Sequence, residues 1–303
     1  MFYSDRNRRR ERRRHGCLFS LLRLVFYCVL ALAIYAAGKT MLIDGGNTHI
    51  LLLGIDYDAS GTSRSDTMLI VSVSPAGKVH LTSILRDTWV EIPGHGYNKI
   101  NTAYHYGGEE LALETVNKAF GLNIKQYAAI SVRGMPVLLD TIGGIELSLT
   151  KDEARETNRN LAAQRALLAK TGVDLSELTE YGDNVHLTAA QALSNSRIRS
   201  IGNDYARTGR QRKVMNAVLD KLRGIRNPYT FYNFISTGMR CLHTNADWPQ
   251  VIMLGVFAAA RDEVSELRLP AEGAYDSGYF DGRWSIRPDL EANRRIFREF
   301  LAE

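Results

Sequence analysis

Cysteine is scarce in this chain of 303 residues, which contains only Cys17, Cys28 and Cys241. The first two fall in a long apolar run near the N-terminus, so Cys241 is the only cysteine in the rest of the chain. No disulfide can form within that remaining part, which excludes a small secreted module held together by disulfides. The roughly 260 residues after the run are long enough to fold on a hydrophobic core alone.

Two common catalytic signatures are also missing. The histidines show no H-E-x-x-H or other paired ligand spacing, and the sequence has no G-x-S-x-G nucleophile elbow. The first absence argues against a zinc peptidase of that type, and the second against a serine hydrolase of the α/β class.

The chain has no net charge outside its N-terminal residues. Residues 1–16 contain seven arginines against Asp5 and Glu11, so the whole net charge of +5 belongs to this tail and residues 17–303 are formally neutral. An arginine-rich tail can bind nucleic-acid phosphates, which makes a DNA-binding regulator one hypothesis. Because the remainder is neutral and has no recognition-helix signature, we expect no nucleic-acid partner.

A long apolar run follows the tail. Residues 18–37 contain only one charged side chain, Arg23, and about 20 apolar residues span the hydrocarbon core of a bilayer. We therefore predict a cytoplasmic basic tail at 1–16, a transmembrane helix at 17–38, a linker at 39–48 and an extracellular domain at 49–303. A cleaved signal peptide is the alternative, but the run is longer than its usual apolar region.

The pattern of apolar residues from 49 onwards predicts one α/β/α domain with a central mixed sheet, preceded by the transmembrane helix. Residues 150–182 are charged and alanine-rich and are predicted to be a helical insertion at the surface. Residues 229–303 are predicted to be the C-terminal part of the same domain. The other expected elements are strands at 50–55, 68–74, 78–85, 127–132 and 145–149, and helices at 109–120, 135–142, 188–196, 206–223 and 288–301.

Charged side chains lie at the ends of three apolar strands. Asp56 follows the first strand, Arg64 and Asp66 immediately precede the second, and Arg86 and Asp87 end the third. If these strands are neighbours, the charges converge at one edge of the sheet, where α/β proteins tend to bind ligands.

A second group of charges lies between residues 197 and 211. Arg197 and Arg199 share one side of an extended segment, and Arg207, Arg210 and Gln211 share one face of a helix. Arginine presents a planar fork of donors that suits phosphate oxygens, and carboxylates are ligands for Mg²⁺. Any one of these charges is more often a surface ion pair, but together they indicate a site for an anionic ligand.

The charges fall within short motifs that follow one another in a fixed order. The motifs are ILLLGID at 50–56, RSDTM at 64–68, SILRDT at 83–88, NKINTAY at 98–104 with GG at 107–108, DTIGGI at 140–145, QAL at 191–193, RIR at 197–199 and DYARTGRQ at 204–211. From about residue 49 to 220 this order resembles the LytR–CpsA–Psr family. Two departures are Leu85, where the family often has proline, and Asn195, where an aromatic residue is common.

Members of that family are single-pass membrane proteins with an external α/β domain and an apolar tunnel for a lipid. They transfer teichoic acids, capsular polysaccharides and related glycans from an undecaprenyl-pyrophosphate carrier to peptidoglycan. The resemblance therefore implies a phosphotransferase of cell wall biogenesis that forms a phosphodiester link, with pyrophosphatase activity as a side reaction. The implied partners are the carrier-linked glycan, the peptidoglycan acceptor and the lipid bilayer. A non-catalytic protein that binds the same lipid-linked glycan is the alternative.

The resemblance also implies roles for individual residues. Asp56 and Asp66 would hold Mg²⁺ or Mn²⁺. The expected pyrophosphate-binding residues are Arg64, Arg86, Lys99, Arg197, Arg199, Arg207 and Gln211. The expected catalytic residues are Arg86, Asp87, Arg199 and Arg207, with Asp87 acting as a base or as a support for its neighbours.

Overall fold

The computed structural model describes residues 47–57, 63–74, 78–202, 204–247 and 264–302. The predicted tail, transmembrane helix and most of the linker lie outside the described residues. Within the described ranges, no helix combines the length and apolar character that crossing a membrane requires.

A mixed sheet forms the centre of the described domain, in the order β10-β3-β2-β1-β6-β9. The β1–β2, β2–β3 and β6–β9 pairs are antiparallel, while β1–β6 and β3–β10 are parallel. The prediction of a central mixed sheet is therefore confirmed. The six strands are β1 (Thr48–Tyr57), β2 (Ser63–Val73), β3 (Val79–Ile84), β6 (Gln126–Ser131), β9 (Leu242–Thr244) and β10 (Val264–Leu269).

The remaining described strands form three two-stranded antiparallel pairs outside this sheet. They are β4 (Trp89–Ile92) with β5 (Gly96–Lys99), β7 (Ile145–Leu149) with β8 (Gly182–Leu187), and β11 (Tyr275–Phe280) with β12 (Arg283–Pro288). The described α-helices are α1 (Thr102–Phe120), α2 (Gly134–Asp140), α3 (Lys151–Leu168), α4 (Ala189–Ser196), α5 (Asp204–Arg223), α6 (Pro228–Cys241) and α7 (Leu290–Ala302).

Helices cover both faces of the sheet because alternate strand residues point to opposite sides. On one face, Leu51 and Ile70 pack in a cluster with Val116 of α1 and Phe297 of α7. On the other face, a second apolar cluster includes Leu219 of α5. This layering confirms the predicted α/β/α arrangement of the domain.

Local sequence signals define several helix ends. The Thr188 side chain accepts from the Gln191 amide and the Gln191 side chain accepts from the Thr188 amide, which completes a capping box at α4. Helix α1 ends at Gly121, whose φ of 65° is a conformation that glycine adopts without strain. It begins earlier than predicted, at Thr102, and is kinked at Gly107 and Gly108.

Three sequence predictions need correction. Residues 150–182 were predicted to be a helical insertion at the surface. They do contain the helix α3, but Leu161 and Leu168 of that helix are fully buried against Ala190 and Leu193 of α4. The helical part of residues 150–182 ends near Thr171, in a short 3-10 turn after α3.

The second strand begins earlier than predicted. Arg64 and Asp66 therefore lie inside β2 rather than before it. In addition, residues 228–241 form the helix α6, where no helix was predicted.

Candidate functional site

A bulge in the sheet positions the central carboxylate. Along the β1–β2 ladder Gly54 pairs with Thr67 and Ile55 with Ser65, so Asp66 is the extra residue that faces no partner on β1. A bulge of this kind re-aims a side chain and is common beside active sites. A Cβ on Gly54 would lie 2.9 Å from the Cβ of Thr67, so glycine permits this close approach.

Asp66 is the acceptor for side chains from four separate segments. Its Oδ2 lies 2.9 Å from Arg86 Nη1, 2.7 Å from Arg199 Nη2 and 3.3 Å from Arg207 Nη2. Its Oδ1 accepts a hydrogen bond of 3.1 Å from Asn101 Nδ2. The segments after β3, after α4, in α5 and before α1 therefore meet at this carboxylate.

The arginines control the charge state of Asp66. Burial alone would raise the pKa of this carboxyl group, but the positive charges of Arg86, Arg207 and Arg199 and the bond from Asn101 outweigh it. The pKa of Asp66 is therefore lowered, and the group is ionised at neutral pH.

A second ion pair lies at the end of β1. Arg197 Nη2 is 2.6 Å from Asp56 Oδ2, and Arg197 Nη1 donates to Gln164 Oε1 at 3.4 Å. Gln164 belongs to α3 and is largely buried. The segment that was expected to be a surface insertion therefore supports a side chain of the site.

Asp87 connects Lys99 to the arginine cluster. Lys99 Nζ is 2.7 Å from Asp87 Oδ1, and Arg86 Nε is 3.6 Å from Asp87 Oδ2. Asp87 is buried, and its backbone carbonyl accepts a bond of 3.0 Å from the Ile286 amide of β12. These contacts hold Asp87 in place between two cationic side chains, with the Lys99 ammonium on one of its two oxygens.

Arg210 shapes the loop that carries Arg199. It is almost fully buried, and its Nη2 donates to the carbonyls of Ile198 at 3.0 Å and Ile201 at 2.9 Å. Burial lowers the pKa of Arg210, and the neighbouring Glu153 opposes that shift. Arg210 is therefore a support for the loop between α4 and α5, and its guanidinium does not reach the Asp66 cluster.

Most of the sequence-predicted site residues lie together. The Arg64 and Gln211 side chains form no hydrogen bond or ion pair with other residues of the described ranges, and Arg64 is exposed, although it lies opposite Asp56 on the β1–β2 ladder. The grouped residues are Asp56, Asp66, Arg86, Asp87, Lys99, Arg197, Arg199 and Arg207.

Sequence reasoning missed Asn101 and Gln164 as site residues. Asn101 lies in the NKINTAY motif, so its position could have drawn attention to it. Gln164 has no motif around it, and only the packing of α3 reveals its contact with Arg197.

The cluster carries more positive than negative charge. Five cationic side chains and three carboxylates make it two charges more positive than negative. Four of the cations are arginines, whose forked donors match the oxygens of phosphate groups. The arrangement is suited to binding a polyvalent anion such as a diphosphate.

The two predicted metal ligands are both engaged by arginine. In the described ranges, no group of three or more His, Cys, Asp or Glu side chains is placed to hold a metal ion. Mg²⁺ in proteins is often held by one or two carboxylates together with substrate phosphates and water. Asp56 and Asp66 fit that pattern if the arginines turn to a bound diphosphate.

A family model and individual relatives show which known proteins this chain is similar to. A sequence model described as the LytR_cpsA_psr family matches residues 37–295. The chain is 30% identical over 237 residues to a polyisoprenyl-teichoic acid–peptidoglycan teichoic acid transferase, TagU of Enterococcus faecalis, covering 76% of this chain and 72% of the relative. It is 26% identical over 268 residues to the regulatory protein MsrR of Staphylococcus aureus, covering 86% and 76%.

A solved structure has the same fold. This is the LytR-CPS2A-psr family protein YwtF (TagT) with bound octaprenyl pyrophosphate lipid. The two chains superpose with a TM-score of 0.62 at 21% identity, and the match covers 85% of this chain and 91% of that one.

Proposed function

The chain belongs to the LytR–CpsA–Psr family, and from this membership and the site geometry we propose that it is a glycopolymer phosphotransferase. The donor is a glycopolymer carried on undecaprenyl pyrophosphate, and the acceptor is a hydroxyl group of peptidoglycan. The name of the Enterococcus faecalis relative and the lipid bound to TagT support this donor and acceptor. The product is a phosphodiester link between the two polymers.

The observation that carries this proposal is the convergence of three arginines on one oxygen of Asp66. A diphosphate offers the same kind of acceptor as that carboxylate, with more oxygens and more negative charge. We infer that Arg86, Arg199 and Arg207 exchange Asp66 for diphosphate oxygens when the donor binds. Charge-assisted bonds to phosphate are among the stronger hydrogen bonds in proteins.

In the proposed reaction the acceptor hydroxyl oxygen attacks the glycan-proximal phosphorus. A new P–O bond forms to peptidoglycan, the P–O bond to the bridging oxygen breaks, and polyprenyl monophosphate leaves. The hydroxyl proton is released to water at neutral pH, because the second pKa of the departing monophosphate is about 6. No nucleotide is consumed, because the pyrophosphate bond supplies the driving force.

The chain's own residues neutralise charge and set geometry. Arg86, Arg199 and Arg207 stabilise negative charge that builds up on the phosphoryl oxygens, and Lys99 and Arg197 extend the binding surface on either side. The contacts of Asp87 favour a positioning role over that of a base, since Lys99 Nζ is 2.7 Å from one of its oxygens.

Asp56 and Asp66 would hold Mg²⁺ or Mn²⁺ once the arginines have turned to the diphosphate. The ion would supply further neutralisation of the phosphate charge. Asn101 would keep Asp66 oriented during this exchange, since it bonds the oxygen Oδ1 that the arginines do not use.

The location follows from the N-terminal sequence. We propose that residues 17–38 anchor the chain in the cell membrane, with the arginine-rich tail in the cytoplasm and the catalytic domain outside. This topology would place the domain beside a lipid-linked donor at the outer surface of the membrane.

Turnover by arginine variants tests the proposal. The full chain is reconstituted in lipid nanodiscs with a lipid-linked glycan, peptidoglycan and Mg²⁺, and product is measured for Arg86→Ala, Asp66→Ala and Arg212→Ala. Arg212 is a matched control, because its side chain is 21% exposed, like that of Arg86, and pairs with Glu266 away from the cluster. We expect a loss of at least a hundredfold for the first two variants and little change for the control. Transfer at the wild-type rate by Arg86→Ala would contradict the assignment.

A further inference from the structure

A network of polar and aromatic side chains lies next to the arginine cluster. It consists of His95, Asn98, Tyr106 and Arg283, and we call it the Tyr106 network. The four residues come from the β4–β5 connection, β5, the first turns of α1 and the start of β12. None of them belongs to the set of residues assigned to diphosphate binding.

Asn98 holds the network in place. It is buried, and its Nδ2 donates to the Tyr106 hydroxyl at 3.1 Å while its Oδ1 accepts from Arg283 Nη1 at 2.9 Å. The Oδ1 atom also accepts from the Lys99 amide at 2.9 Å. A buried amide with this many partners fixes two exposed side chains relative to each other.

The outer side of the network consists of aromatic rings. The rings of His95 and Tyr106 stack with their centroids 4.4 Å apart and an angle of 3° between their planes. Tyr106 is 41% exposed, and His95 and Arg283 are exposed as well. Because the Tyr106 oxygen accepts from Asn98, its own proton is available for a bond to a ligand.

Two residues of the network are close in sequence to residues of the diphosphate-binding cluster. Asn98 directly precedes Lys99, whose ammonium contacts Asp87. Tyr106 follows Asn101, which bonds Asp66, by five residues along α1. At the helical rise per residue the two residues are separated by about 7.5 Å along the helix axis.

We propose that the Tyr106 network binds the glycan chain of the peptidoglycan acceptor and presents its hydroxyl to the diphosphate. Sugars are amphipathic: their C–H faces pack on aromatic rings, while their hydroxyls bond to nearby polar groups, as in other sites that combine aromatic side chains with a few polar ones. This inference rests on the proposed function, because it assigns the acceptor side of that reaction.

The chemistry of the network favours a sugar over a lipid or the donor diphosphate. A lipid chain would cover Asn98, Tyr106 and Arg283 without offering them hydrogen-bond partners, which carries a cost. A diphosphate is better satisfied by the five cations of the cluster. Arg283 has guanidinium nitrogens beyond Nη1 with which it can also bond hydroxyls or a carboxylate of the acceptor.

Binding of the acceptor alone provides the first test. The full chain in nanodiscs without donor lipid is titrated with fluorescently labelled, undecorated peptidoglycan glycan chains. We expect Tyr106→Ala and Arg283→Ala each to raise the Kd about tenfold, which corresponds to about 1.4 kcal/mol. Tyr181→Ala is the control, since Tyr181 is 59% exposed and lies outside the network, and it should bind as the wild type does.

The transfer assay separates this inference from the proposed function. With donor added, Tyr106→Ala should raise the KM for glycan chains about tenfold relative to the wild type and leave the KM for the lipid-linked donor unchanged. Tyr106→Phe, which keeps the stacked ring, should recover part of the loss.

Three results would overturn the inference. They are an acceptor Kd that Tyr106→Ala and Arg283→Ala leave unchanged, a wild-type chain that does not bind the glycan chains, and an effect on the donor KM instead of the acceptor KM. If wild-type transfer occurs in any of these cases, the proposed function stands and only the location of the acceptor is wrong. A failure of the proposed function would be recognised separately, because the wild-type chain would then show no transfer.

Discussion

Replacing Asp66 with asparagine removes the negative charge that three arginines share. Arg199 is 55% exposed, so solvent screens it and its contribution is small. Arg86 and Arg207 are only 21% and 5% exposed, and removing one partner of a buried ion pair costs about 3–5 kcal/mol. Because Arg86 remains partly hydrated, we expect the free energy of unfolding at pH 7 to fall by about 3 kcal/mol, the lower end of that range.

The change can be measured by chemical denaturation of the full chain in detergent, followed by tryptophan fluorescence. Glu266→Gln is the control, since Glu266 is 34% exposed in its pair with Arg212 and should contribute less than about 1 kcal/mol. An Asp66→Asn variant that is as stable as the wild type would refute the reasoning, because the arginines would then not depend on this carboxylate.

The pH dependence of the same variant gives a second check. The pKa of Asp66 is lowered in the folded state, so its ionised form stabilises the fold. That contribution is fully present above the ordinary value of about 3.9 and is lost as the pH falls through the folded-state pKa. The wild-type and Asp66→Asn stabilities should therefore converge in strong acid. At pH 7, inorganic pyrophosphate should narrow the difference in stability between the wild type and Asp66→Asn, because it neutralises the arginines in place of Asp66.

Three further substitutions test how the site is supported. Gly54→Ala should lower the thermal stability and weaken pyrophosphate binding, which calorimetry measures. The Cβ of the new alanine would lie 2.9 Å from Thr67 and disturb the bulge at Asp66. Unchanged pyrophosphate binding would contradict this. Leu161→Ala should destabilise the chain by about 2–5 kcal/mol in denaturant unfolding, since this side chain is fully buried. A change below about 0.5 kcal/mol would instead favour the predicted insertion at the surface. Arg210→Lys should weaken pyrophosphate binding about tenfold with little loss of helical circular dichroism, because lysine lacks the planar fork that bonds two loop carbonyls. Wild-type affinity for pyrophosphate in this variant would argue against the role of Arg210 in supporting the loop.

Much of the sheet could be predicted because its strands are continuous apolar runs. The patterns at 50–55 and 127–132 correspond to β1 and β6, whose residues are buried or half-buried on both faces. Helix α4 was predictable from its capping box, and α7 from its amphipathic spacing. Local signals of this kind act over a few residues and are visible in the sequence.

The packing of α3 could not be predicted in the same way. Its composition is polar overall, and its buried face combines Leu161 and Leu168 with polar residues such as Thr157 and Gln164. The contact between Gln164 and Arg197 joins residues 33 positions apart and depends on that packing. Long-range contacts of a polar helix leave little trace in hydrophobic periodicity.

The site was predictable in its members more than in its geometry. The charges at strand ends and the RIR and DYARTGRQ motifs identified the arginines that meet at Asp66. The bulge depends on a one-residue shift in the β1–β2 register, which no local pattern in β2 reveals. Arg64 lies two residues before Asp66 in the same motif and opposite Asp56 on β1, yet its side chain is exposed and pairs with no member of the cluster.

The most direct measurement of the central claim is the identity of the products in a complete transfer reaction. Wild-type chain in nanodiscs is supplied with a defined lipid-linked glycan, peptidoglycan and Mg²⁺, and both products are analysed by mass spectrometry. A phosphotransferase should release polyprenyl monophosphate and leave a phosphodiester on peptidoglycan, in equal amounts. Release of polyprenyl pyrophosphate with a phosphate-free sugar link, or no product at all, would contradict it.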